Sequence, residues 1–128
     1  MSKMSNEVLD AISKTMPTCL ATASADGNPN LVYVTYIKAL DGDTLVVADN
    51  KFEKTRENLD SNPVMSVVVL DPDTRKAYQL KCKAETVTEG KKYDDVVEWV
   101  HVNHPQMTPK AGVYLTVDEV YCGADKLA

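Results

Sequence analysis

The 128-residue sequence predicts a mainly β domain of the α+β class, with six antiparallel strands and three helices, rolled into a closed or nearly closed small barrel. Three observations lead there. Short Val-rich runs recur along the chain, separated by turn signals such as Asp26-Gly27 and "DGD" at 41–43. The first three runs are joined by connections too short for parallel crossovers, which disfavours a doubly wound parallel sheet. Strong Val content with only five glycines favours closure over an open sheet with bare edges.

The elements follow in order. "SNEVLDAISKTMP" opens with Ser5 or Asn6 as a helix cap, sets Val8, Leu9, Ile12 and Met16 on one face, and stops at Pro17. "TCLATAS" is a strand of small residues, and "ADGN" is a tight turn. "NLVYVTYIKAL" reads as one long strand, apolar on both faces except at Thr35, so both faces should be covered. "TLVVAD" is a short buried strand. A helix within "NKFEKTRENLDSNP" comes next, then the buried strand "VMSVVVLD" and the turn "PDTRK". "AYQLKCKAETV" alternates as a half-exposed strand. "KKYDDVVEWVHVN" is a helix with Tyr93, Val96, Val97 and Val100 in one stripe. "HPQMTPKAG" is an irregular loop, "VYLTVDEVYCG" a final strand and "ADKLA" a tail.

Composition narrows the function. The length suits a single domain spanning residues 1–128, large enough to fold without disulfides or metals. A formal net charge of −5 and a pI near 4.9 argue against nucleic acid or a membrane surface as the main partner. Cys19, Cys82 and Cys122 form no C-x-x-C pair and read as buried, reduced thiols. With no apolar leader at the start and no run of membrane-spanning length, a cytoplasmic location is expected.

The most informative stretch is "NKFEKTRENLDSNP", residues 50–63. Asn50 and Glu53 have the spacing of a capping box, which would make Lys51 the first helical residue and set Lys54 and Thr55 one turn in. Free backbone N–H groups, an ammonium and a hydroxyl would then converge, as phosphate binding requires. Spacing alone leaves a second reading, a solvated helix with an i,i+4 pair between Arg56 and Asp60. No glycine-rich cradle marks a nucleoside triphosphate loop.

Read in order, "ATASADGNPNLVYVTYIKALDGDTLVVADNKFEKTRENLDSNPVMSVVVLD" with the following "YQLKCKAETV" resembles the pyridoxamine 5′-phosphate oxidase-like family of FMN-binding split barrels. The resemblance covers roughly residues 18–90, and its best motif is K-T-R-E-N-L-x-x-N-P. It implies a six-stranded antiparallel split β-barrel with flanking helices, a homodimer, and FMN bound at each end of the subunit interface. It implies that Lys54 and Thr55 meet the FMN phosphate, with Lys51 and Arg56 nearby. Val47, Ala48 and Asp49 would pass the phosphate and ribityl chain. Val34, Thr35 and Tyr36 would border the isoalloxazine, and Gln79 would reach the flavin from the other subunit.

Departures from the family pattern matter too. The oxidase proper brings an Arg and a Lys to the cofactor where Val32 and Ile37 stand here, and its C-terminal Arg and His have no counterpart. The oxidase reaction itself is therefore not expected. The resemblance instead implies a short flavoprotein, a flavin-dependent oxidoreductase or electron carrier acting on a small molecule or a redox partner protein. The rivals are a flavin-storage or sensing module, a scaffold that has lost its cofactor, and a haem- or deazaflavin-binding relative. No side chain is assigned as a catalytic acid or base, and no nucleophile–base pair stands out. His101 and His104 suit a helix C-terminus better than a metal site. Trp99 lies off the valine stripe, either at an interface or in plain packing.

Overall fold

The computed structural model describes residues 2–15 and 17–128. Helix α1 (Asn6–Lys14) leads into β1 (Thr18–Ala23), β2 (Pro29–Val34), β3 (Ile37–Ala39) and β4 (Thr44–Asp49). Helix α2 (Lys54–Ser61), β5 (Val64–Leu70), β6 (Ala77–Val87), α3 (Lys91–His101), β7 (Ala111–Cys122) and β8 (Asp125–Lys126) complete the chain. All strands form one antiparallel sheet in the order β2-β1-β5-β6-β7-β4-β3, with β8 paired to β7. The split barrel is thus present, with eight strands among the described residues rather than six.

The two extra strands have separate causes. The expected long strand breaks at Thr35-Tyr36: β2 pairs with β1 through Thr18↔Val34, whereas β3 pairs with β4 through Ile37↔Val47. A curled sheet has two edges, and this stretch supplies both, so it must leave one ladder to join the other. The second addition is the supposed tail. Gly123, at φ +60°, turns the chain back so that Asp125 pairs with Cys122.

Interior packing follows the period-two rule of strands. Leu20, Leu45, Val67, Leu80, Val113 and Leu115 point inward and are fully buried. Helix α1 closes one end with Val8, Ala11 and Ile12, capped by Ser5, whose hydroxyl accepts from the Val8 N–H at 3.4 Å. Met16, expected on the same face, lies outside the described residues. Strand β4 is buried on both sides: Leu45 and Val47 face the barrel interior, and Val46 and Ala48 lie beneath Val96 and Val100 of α3. Of the predicted α3 stripe, those two valines are the buried members.

Strand β5 departs from expectation. Its inner residues are buried, yet Val64, Val68 and Leu70 are exposed, and across β1 from them Leu31 and Tyr33 of β2 are 69% and 73% exposed. The outer face of β2-β1-β5 is therefore apolar and bare. The cysteines also differ from one another. Cys82 is buried, and burial, reinforced by Asp118, pushes its thiol up to about 12, whereas Cys19 and Cys122 are half-buried.

Two stability predictions follow. Gly112 sits where α3 meets β7, and a Cβ there would come within 2.7 Å of Val96 Cγ2. Gly112→Ala should destabilise the fold by about 1–3 kcal/mol through overpacking, and adding Val96→Ala should recover part of the loss; thermal melts of both variants check this. In the β5–β6 turn, Asp71 accepts from the backbone N–H groups of Asp73 (2.8 Å) and Thr74 (3.3 Å). The Asp73 bond leads in holding its carboxyl below the usual value, against the opposing effect of burial, with smaller help from Thr74 and Lys14. A carboxyl with a lowered folded-state pKa binds fewer protons when folded. Its stabilisation is complete above the unfolded value of about 3.9 and is lost as pH falls through the lowered one. Asp71→Asn should therefore lower the melting temperature at pH 7 and flatten its decline on acidification, as a pH series of melts would reveal.

Candidate functional site

Where β2 and β4 diverge at the split, a pocket of about 600 Å³ opens. Its walls come from four places. Strand β2 contributes Asn30, Val32, Tyr33 and Val34, and the joint contributes Thr35 and Tyr36. The end of β4 and the following loop contribute Ala48 and Asn50 to Glu53. The start of α2 brings Lys54 and Thr55, and the segment after α3 brings His104 and Met107. Seven of the ten residues expected at the site thus converge: Val34, Thr35, Tyr36, Ala48, Lys51, Lys54 and Thr55.

The other three lie elsewhere, each for a physical reason. Val47 alternates inward and is fully buried in the barrel core. Asp49 is fully buried and organises the loop: Oδ1 accepts from the Phe52 N–H at 2.9 Å, and Oδ2 accepts from Arg56 Nη1 at 3.3 Å. Arg56 is consequently engaged by Asp49 as well as by Asp60. Gln79 stands on the outer face of β6, donates to Ser66 Oγ at 3.1 Å, and lines a second cavity with Leu31 and Val68.

The helix start also differs from expectation. Residue Lys54, not Lys51, is the first helical position, and Glu53 precedes it at φ −124°, ψ −77° without a side-chain capping bond. The capping box between Asn50 and Glu53 does not form, because the Asp49–Phe52 and Asp49–Arg56 bonds hold residues 50–53 as a loop. Lys110 secures the far side of that loop: its N–H donates to the Asp49 carbonyl at 2.6 Å, and its ammonium donates to the Phe52 carbonyl. The first backbone N–H groups of α2 therefore have neither an intrahelical partner nor a side-chain cap, and Lys54 and Thr55, at that helix start, line the pocket. Thr55 is buried beside them and accepts from Asn30 Nδ2 at 2.9 Å, which leaves its hydroxyl proton for another acceptor.

The opposite end of the pocket is aromatic. Tyr36 shares a hydrogen bond with His104 Nδ1, and its ring meets Trp99 edge-on, with centroids 5.5 Å apart. Trp99 in turn carries the Lys38 ammonium 4.6 Å above its face, so it braces Tyr36 rather than lining the pocket. Among the described residues no group of three or more His, Cys, Asp and Glu side chains is arranged to hold a metal. Two buried polar side-chain atoms there lack a partner, Asn50 Oδ1 and His101 Nε2, and of these residues only Asn50 lines the pocket.

Sequence reasoning missed Asn30, Asn50 as a pocket residue, Lys110, His104 and Met107. Asn30 and Lys110 are remote from α2 in sequence and carry no local pattern. The pair Asp49 and Arg56 had a legible signal, since a buried strand ending in Asp needs a cation nearby.

An anion end built from helix amides, an ammonium and a hydroxyl, joined to an apolar and aromatic slot, suits a phosphorylated ligand with a flat ring. Known proteins agree with this frame. The model of the family described as pyridoxamine 5′-phosphate oxidase matches residues 4–122. An uncharacterized protein of Methanocaldococcus jannaschii is 33% identical over 104 residues, which cover 80% of this chain and 69% of that protein. Among solved structures, HupZ of Group A Streptococcus superposes with a TM-score of 0.84 at 24% identity, covering 98% of each chain. An FMN-binding protein of Syntrophomonas wolfei reaches 0.76 at 16% identity, over 90% of this chain and 85% of that one. HutZ of Vibrio cholerae, a haem-storage protein, reaches 0.70 at 17% identity, over 94% of each. These structural likenesses establish the fold. With a family match across nearly the whole chain, this protein belongs to the pyridoxamine 5′-phosphate oxidase-like family.

Proposed function

We propose that the pocket binds FMN and that the protein works as a homodimeric flavoprotein, a flavin-dependent oxidoreductase or electron carrier. One observation carries this reading. The uncapped start of α2, with Lys54 and buried Thr55, forms one end of a pocket whose other walls are Val32, Val34 and the braced Tyr36. A phosphate dianion would meet an ammonium, a free hydroxyl proton and unpaired amides, a combination that favours two negative charges. The strand and Tyr36 offer apolar surface to a flat ring.

When bound, FMN supplies the redox chemistry, accepting and donating one or two electrons. This chain's residues bind and orient it. Lys54 and Thr55 anchor the phosphate, Asp49 and Lys110 hold the loop that carries Lys51, and Trp99 with His104 keeps Tyr36 against the ring. No residue of the pocket is assigned a proton-transfer step. Val32 and Ile37, at the positions of the oxidase's two cofactor cations, disfavour the oxidase reaction, because phosphate anchoring then falls on α2.

The dimer rests on the bare apolar face. Leu31 and Tyr33, with Cys19, Ala21 and Val68 on the paired strands, form a continuous surface that reaches the pocket rim at Tyr33. A second copy seated there would remove this surface from water. Gln79 lies on the same face and lines no part of its own subunit's pocket, so in the proposed dimer it would serve the other subunit's.

Two experiments test the proposal. Titrating FMN into colourless protein should quench flavin fluorescence and shift the visible bands. Lys54→Ala should weaken FMN by about 1.5–3 kcal/mol, the value of a hydrogen bond to a charged group, while riboflavin binding changes little. Equal losses for both ligands would remove the lysine from the phosphate, and a Soret band after haem addition with no FMN response would transfer the pocket to haem. For the assembly, sedimentation should give a dimer for the natural chain. Leu31→Glu should give a folded monomer with weakened FMN binding.

A further inference from the structure

We propose that Asn50 is a specificity-determining residue of the pocket: its carboxamide turns inward when ligand binds, and Oδ1 accepts a hydrogen bond from a hydroxyl of the ligand's polyol chain. This deepens the FMN reading and rests on it.

The starting point is the orphaned oxygen. Asn50 Oδ1 is enclosed and has no hydrogen-bond donor, although the residue lines the pocket. A buried acceptor without a donor is unfavourable, and native structures rarely keep one without a reason. Its neighbours are committed: the Phe52 N–H donates to Asp49 Oδ1, and the Lys110 ammonium donates to the Phe52 carbonyl. The loop is therefore held in place while the Asn50 side chain within it is left unsatisfied. Its side-chain torsions can carry the carboxamide out toward the pocket without moving the backbone.

Position identifies the ligand group. The Ala48 N–H donates to the Tyr36 carbonyl at 3.0 Å, so the end of β4 lies directly beside the aromatic end of the pocket. Lys54 and Thr55 mark the anion end. Asn50 lies in the loop that joins β4 to α2 and lines the same pocket. A ligand with its ring against Tyr36 and its phosphate at α2 passes its connecting chain in front of Asn50. In FMN that chain carries three hydroxyls, which can donate; a carboxamide oxygen can only accept. An apolar linker would leave the orphan as it was, so the site discriminates against it.

The test is a cycle of two ligands and two proteins. The ligands are FMN and a phosphopentyl flavin, which keeps the ring and phosphate but lacks the three hydroxyls. The natural protein should bind FMN roughly tenfold or more tighter than the deoxy analogue, the scale of a hydrogen bond plus a relieved orphan. Asn50→Leu should lose most of that discrimination, through weaker FMN and unchanged analogue binding. Asn50→Ala repeats the comparison if leucine does not fit. Undiminished discrimination in the variants overturns the assignment of Asn50 alone, as does equal affinity of the natural protein for both ligands. A natural protein that binds neither flavin overturns the FMN reading, and this inference with it.

Discussion

The structure depends on one stretch of chain serving both edges of its sheet. Residues 29–39 pair with β1 on one side and with β4 on the other, and Thr35-Tyr36 is the point of transfer. That demand curls the sheet, because two edges joined by two residues must lie close together. It also prevents the edges from pairing with each other, since the same chain occupies both ladders. The split is thus a consequence of connectivity, and the pocket is the space the split leaves. Helix α2 and the residues after α3 fill in around it.

Electrostatics in this corner are arranged by commitment and omission. Asp49 would be a costly buried anion without Arg56, and the loop would lose its hold without the Phe52 N–H. The same bonds remove Arg56 from the pocket and keep residues 50–53 out of the helix. Lys54 then begins α2 with its amides uncovered. The cations that look alike in "NKFEKTRENLD" therefore divide by partner: Arg56 belongs to the loop's internal structure, and Lys51 and Lys54 face the pocket.

Much of the fold was legible in the sequence, because β6, α1 and α3 obey their periodicities and β4 is an unbroken buried run. The break at Thr35-Tyr36 was not, since nothing local distinguishes a strand that changes partners from one that continues. The outer face of β5 misled for a related reason: Val64 and Val68 look like core residues, yet alternation sends them to a side that this chain leaves uncovered. At the pocket, Lys54 and Thr55 were readable from the motif, and Tyr36 from the resemblance of its strand to the family's. Asn50's capping role failed because a tertiary ion pair outweighed a local pattern, and the contributions of Asn30 and Lys110 depend on contacts between elements distant in the chain.

Strand β4 is walled in by the barrel on one side and by α3 on the other. Substitution along it disturbs packing before it touches a ligand, so the strand is a poor place for recognition to drift. The freedom to accept a different guest lies in the lining that is not shared with the core, at residues 50–53 and around His104 and Met107. A lineage that kept this frame while exchanging one prosthetic molecule for another would carry its differences in those two short stretches, with the staves of the barrel largely untouched.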